Sequence, residues 1–218
     1  MRYLVLGDSL SDGMWKRDPV GVGSAWPSGF RRLAVGTEIV NRSHGGDRSV
    51  ETLARARALG APELEVDAAL VLVGANDLWR RHRPWQGQDP VDEDDYRRNL
   101  VRIGRALGDG GIGAIWLLSP CVLDADPDHE WNREMDGYRE VCRAVAASEG
   151  WGFVPVGEEF VQAMRDLPDV KWTYDGVHPR PVGHERIAWT VAHGLQAVDA
   201  LAPGDLPPAP EGFARSWP

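Results

Sequence analysis

"MRYLVLGDSLSDG", residues 1–13, decides how the rest of the chain is read. Tyr3-Leu4-Val5-Leu6 is a short continuous apolar run, as expected of a strand covered on both faces. It breaks into Gly7-Asp8-Ser9-Leu10, so a serine follows the end of a first strand. An unassisted hydroxyl is a poor nucleophile at neutral pH. Alone, Ser9 reads as a turn or capping residue. A catalytic reading needs a base, an orienting acid and oxyanion donors from the rest of the chain.

Beyond this stretch strands and helices alternate. Residues 24–35 predict a helix with Ser24 as N-cap and Gly36 as stop. "TEIVN" (37–41) reads as a second strand. Residues 47–59 predict a helix between Asp47 as cap and Gly60 as stop. "AALVLVG" (68–74) is a second continuous apolar run, and residues 80–90, "RRHRPWQGQDP", read as a polar loop. The next helix opens with Pro90 and the acids Asp92 to Asp95, which suit a helix N-terminus, and runs to about Leu107. "IGAIWLLS" (112–119) is a strand, 130–148 a helix and "GFVPV" (152–156) a last short strand. A short helix to about Leu167 and a final helix over 182–201 complete the pattern. Five strands separated by helices imply parallel pairing through right-handed crossovers, hence a three-layer α/β/α sandwich. The domain is expected over 1–202. The tail 203–218, with Pro203, Pro207, Pro208 and Pro210, is expected as a strap packed on or near it.

Bulk properties narrow the function. A chain of 218 residues with 43% hydrophobic residues suits one domain with a sizeable core. The net charge of -9 argues against general nucleic-acid binding, which needs basic surface to neutralise phosphates. No apolar run approaches the roughly 20 residues that span a bilayer. No secretory leader is recognisable either, so the expected location is cytoplasmic. Cys121 and Cys142 read as reduced, buried thiols, and no cysteine spacing suggests a metal site.

In open parallel sheets the site lies beyond the C-terminal strand ends. Ser9 falls just past the first strand, "NRSHGGDRS" (41–49) past the second and "GANDLW" (74–79) past the third. "YDGVHPRPVGH" (174–184) precedes the final helix. His178 has the side chain whose unperturbed pKa suits it to take a serine proton near neutrality. Asp175, three residues earlier, can accept from the other ring nitrogen and fix the tautomer. The Ser9 and Gly46 N–H groups and the Asn76 amide are candidate oxyanion donors. Asp8 and Asp77 read as loop-holding acids rather than proton carriers. His44 and His184 read as wall or structural residues. Trp15, Trp79 and Trp172 fall near the expected mouth, where Leu10, Gly45, Trp79 and Val177 are candidate pocket residues. The run Arg80 to Arg83 reads as a solvated loop. "GDSLSDG" lacks both the Walker lysine and the G-x-G-x-x-G spacing of phosphate loops. Ser9 also lacks the G-x-S-x-G pentapeptide of the α/β-hydrolase elbow.

Together, Gly-Asp-Ser-Leu at 7–10, a glycine after the second strand, Gly-x-Asn-Asp at 74–77 and Asp-x-x-His at 175–178 resemble the four blocks of the GDSL, or SGNH, hydrolases. The resemblance spans roughly residues 1–200 and is nearest to the small bacterial members. Gly45 and Gly46 are both available for the second block; Gly46 fits better, because Ser43-x-x-Gly46-Asp47 follows the family pattern. The resemblance implies a flavodoxin-like sheet of order 2-1-3-4-5, with Ser9 as nucleophile, Asp175 and His178 completing a triad, and Gly46 and Asn76 as oxyanion donors. The activity implied is hydrolysis of a small-molecule carboxylic ester of short acyl chain, such as an acetyl ester, a sugar ester or a lysophospholipid-like ester. No metal and no organic cofactor are called for. An acyltransferase using the same residues is the nearest alternative, and a non-catalytic carbohydrate- or lipid-binding module a remote one. The sequence carries no signature of an oligomeric state.

Overall fold

The computed structural model describes residues 1–13, 25–59, 65–85 and 87–196. The first apolar run is β1 (Arg2–Gly7), with Tyr3 to Leu6 wholly buried. The other strands are β2 (Glu38–Asn41), β3 (Ala68–Leu72), β4 (Ala114–Leu118) and β5 (Gly152–Val154). All pair in parallel, in the order β2-β1-β3-β4-β5. This is the flavodoxin-like sheet expected. β1 and β3 lie inside it and carry no charged side chain after Arg2, as suits strands covered by helices on both faces.

The helices are α1 (Ser9–Asp12), α2 (Trp26–Leu33), α3 (Ser49–Ala58), α4 (Ala75–His82), α5 (Glu93–Asp109), α6 (Glu130–Glu149), α7 (Val156–Asp166) and α8 (Pro181–Gln196). α2 packs on α8, where Gly29 lies so close to Ala188 that a Cβ on it would sit 2.8 Å from the alanine methyl. α5 packs on α3 and α6. The two groups cover opposite faces of the sheet. Gly194 of α8 lies against Val154, whereas Arg143 of α6 lies over the Phe153 ring at 4.4 Å, and successive strand residues point to opposite faces. Among the described residues, no helix is long and apolar enough to cross a membrane. Cys121 and Cys142 are buried free thiols, and burial pushes Cys121 up to about 12.

Several boundaries differ from the sequence reading. The span 80–90 is not all loop, because α4 continues through Arg80, Arg81 and His82. Its polar residues find partners that the sequence does not advertise: Arg81 and His82 both reach Glu134, and His82 stacks on Trp131 at 4.5 Å. Asp47 does not cap α3. Arg48 takes the N-cap position, its N–H donating to Glu51 Oε2 at 2.9 Å, while Asp47 turns back to pair with Arg55 at 2.5 Å. The helix placed at Pro90 starts at Glu93, capped by Asp92, which accepts from Asp95 N–H at 2.8 Å. Trp15, Ser24, Gly60, the last residues of the final helix and the tail 203–218 lie outside the described residues.

Candidate active site

Four segments meet at the C-terminal edge of the sheet. β1 ends at Gly7, and Asp8 caps α1 by accepting from Leu10 N–H at 3.0 Å. That fixes Ser9 as the first residue of a single helical turn. Its Oγ lies 3.1 Å from His178 Nε2. On the other side of the imidazole, Nδ1 lies 2.9 Å from Asp175 Oδ2 and 3.0 Å from Oδ1. The three side chains thus form one hydrogen-bonded line across 169 residues of sequence.

The turn before α8 is built to hold that line. Asp175 Oδ1 also accepts from the backbone N–H of Val177 at 3.2 Å and of His178 at 2.9 Å, so one carboxylate sets both the turn and the ring. Backbone hydrogen bonds close its base, Tyr174 N–H to His178 O and Arg180 N–H to Trp172 O, both at 2.8 Å. Burial raises the Asp175 pKa, but the hydrogen bonds from the His178 ring and from backbone N–H groups outweigh it and hold the carboxyl at about 2. The acid therefore stays ionised across the neutral range.

The loop after β2 lies beside Ser9. A Cβ on Gly45 would come 3.7 Å from the Ser9 Cβ. Gly45 N–H is already committed, donating to Asp12 Oδ2 at 2.8 Å. Gly46 has φ +87°, a conformation that favours glycine. Neither the Gly46 nor the Ser9 N–H has an acceptor among the described residues. Asn76, in the first turn of α4, donates from Nδ2 to Asp47 O at 3.1 Å and, in a longer bond of 3.5 Å, to Asp8 Oδ2. The acceptor on Asp47 fixes which end of the amide faces the site.

Asp8 and Asp77 are buried and hold backbone, as expected. Asp77 accepts from Ser49 N–H at 2.9 Å and from the Ser49 hydroxyl, tying α4 to the start of α3. Burial pushes Asp8 up to about 7 and Asp77 up to about 6. Of the other pocket candidates, Leu10 and Val177 are mostly buried, at 2% and 7% exposure. Trp79 is half-buried, edge-on to Trp131 at 5.7 Å. Trp172 is buried beneath the turn against Phe160. His44 lies 3.3 Å from Asp47, away from the Ser9 to Asp175 line. At this edge Asp12 escaped the sequence reading, and Arg80, read there as part of a solvated loop, is buried. Asp12 and Arg80 follow Ser9 and Asn76 at helical spacing, three and four residues on, and that spacing was their one signal. Among the described residues no group of three or more His, Cys, Asp or Glu is placed to hold a metal ion.

Residues 5–186 match the model of the GDSL-like lipase/acylhydrolase family. An acetylxylan esterase of Geobacillus stearothermophilus is 26% identical over 203 residues, covering 86% of this chain and 90% of that protein. A solved variant of an acetyl xylan esterase from the same organism, Axe2, superposes with a TM-score of 0.75 at 22% identity, covering 89% of this chain and 94% of the other. LAE5, an alpha/beta hydrolase enzyme from the metagenome of Lake Arreo, Spain, superposes with a TM-score of 0.73 at 22% identity, covering 92% and 95%. The chain belongs to the GDSL-like lipase/acylhydrolase family, and with it to the enzymes that hydrolyse ester bonds.

Proposed function

We propose that the protein is a serine esterase working through an acyl-enzyme, with Ser9 as nucleophile, His178 as general base and Asp175 as orienting acid. The observation that carries this reading is the line from Ser9 Oγ through both ring nitrogens of His178 to Asp175. His178 Nε2 takes the Ser9 proton as Oγ attacks the ester carbonyl, and Asp175 stabilises the imidazolium. The oxyanion accepts from Ser9 N–H, Gly46 N–H and the Asn76 amide, which gives up its long 3.5 Å bond to Asp8 for the stronger acceptor. Gly46 is preferred to Gly45, whose N–H is held by Asp12. Collapse expels the alcohol, which takes the proton from His178. Water then attacks the acyl-enzyme with His178 again as base, releasing the acid and restoring Ser9.

The substrate proposed is a short-chain ester, with acetylated sugars first. Similarity to an acetylxylan esterase over most of both chains supports this choice. Catalytic mutants of Axe2 replace a serine, an aspartate and a histidine, the residue types proposed here. The test is hydrolysis of p-nitrophenyl esters of rising acyl length and of acetylated xylo-oligosaccharides by the parent and by Ser9→Ala. Acetyl esters should be the fastest, and Ser9→Ala should be inactive with an unchanged melting temperature. Parent-like activity in Ser9→Ala would overturn the assignment.

A further inference from the structure

Three acids are buried around the proposed oxyanion pocket: Asp8, Asp47 and Asp77, at 1%, 4% and 0% exposure. Each one that stays ionised opposes negative charge developing on a bound carbonyl oxygen. Two nearby guanidiniums are already committed, Arg48 to Glu51 and Arg55 to Asp47, each at 2.5 Å. Arg80 is not. It is only 3% exposed, and no carboxylate lies within ion-pair distance of it among the described residues. Its one hydrogen bond there runs from Nε to Gln88 Oε1 at 2.6 Å, which leaves both η nitrogens without a hydrogen-bond acceptor. The Trp85 ring lies 5.0 Å from its guanidinium carbon.

Its placement gives this charge a use. Arg80 follows Asn76 by four residues on α4, one turn along the same face. Asn76 donates to the carbonyl of Asp47, and Arg80 reaches the same loop, with Nη2 4.0 Å from where a Cβ on Gly46 would stand. Burial and the neighbouring Arg48 lower its pKa, yet a guanidinium remains protonated at neutral pH. We infer that Arg80 is the fixed cation of the oxyanion pocket, stabilising the charge that forms on the substrate carbonyl oxygen next to Gly46. This rests on the reading of Ser9, Gly46 and Asn76 given above. A purely structural Arg80 would only tie α4 to Trp85 and Gln88, and the two roles predict different kinetics.

The experiment compares Arg80→Gln, Arg80→Lys and Ser9→Ala with the parent on p-nitrophenyl acetate. Inhibition by phenylboronic acid, whose serine adduct is anionic, is measured alongside. Arg80→Gln should lower kcat about tenfold to a hundredfold, with KM changed less than about threefold. Boronate inhibition should weaken by the same factor as kcat, and Arg80→Lys should recover most of both. Should Arg80→Gln fail to fold, Gln88→Glu sets a carboxylate against Nε and neutralises the cation in place; the same loss is expected. A kcat within about threefold of the parent in either variant, or a fall in kcat with boronate inhibition intact, overturns the inference. An inactive Ser9→Ala beside a fully active Arg80→Gln refutes the role of Arg80 alone. An active Ser9→Ala refutes the esterase reading beneath it.

Discussion

At Asp175 one carboxylate does two things. It accepts backbone N–H groups that shape the turn, and it accepts from the ring that the turn presents. Replacing Asp175 by Asn keeps the size and one acceptor oxygen, but its NH2 group favours the wrong imidazole tautomer. Asp175→Asn should therefore lower kcat by orders of magnitude, with ~10⁴ as the guide from serine proteases. Steady-state kinetics on p-nitrophenyl acetate measure this, and a loss below about tenfold would mean that Asp175 does not orient His178. These residues were legible in the sequence because the chemistry restricts their types and the strand ends restrict their places. Arg80 was not. A run of Arg and His reads as solvated, and its burial depends on Gln88 and Gly46, which only the folded chain brings near.

Among the elements, β1 shows how tightly fold and site are joined. Gly7 precedes Asp8 and Ser9, and a Cβ on it would lie 2.1 Å from the carbonyl oxygen of Leu72 in β3 and 3.1 Å from Ser11 Oγ. The first neighbour is backbone in a buried strand and cannot move aside without breaking the pairing of Gly7 with Leu72. Gly7→Ala should destabilise the fold by about 1–3 kcal/mol or more, as overpacking in a dense core does. Urea unfolding monitored by tryptophan fluorescence checks this, and an unchanged midpoint would contradict the packing described. The strands themselves were readable, since buried parallel strands are near-continuous apolar runs. Helix ends were less so. Asp47 resembles a cap by residue type, yet its pairing with Arg55 draws it away, and the Glu51 carboxylate satisfies the Arg48 N–H instead.

For the whole molecule, three acids make stability depend on pH in two opposed ways. Asp8, raised to about 7, binds more proton folded than unfolded between about pH 4 and 7, so its contribution falls as pH rises through that window. Asp77, raised to about 6, acts in the same sense over a narrower window. Asp175, held at about 2, works in reverse: its contribution is complete above the unfolded value near 4 and is lost as pH falls toward 2. Asp8→Asn removes the widest of the falling contributions. Its unfolding free energy should decline less between pH 5 and pH 8 than the parent's, and an equal decline would show that Asp8 does not titrate there. The most direct test of the central claim is chemical. After treatment with a fluorophosphonate, intact mass and peptide mapping should give a single adduct, on Ser9, with activity lost in proportion to labelling and no adduct on Ser9→Ala. An adduct on another residue, or full activity in protein labelled at Ser9, would contradict it.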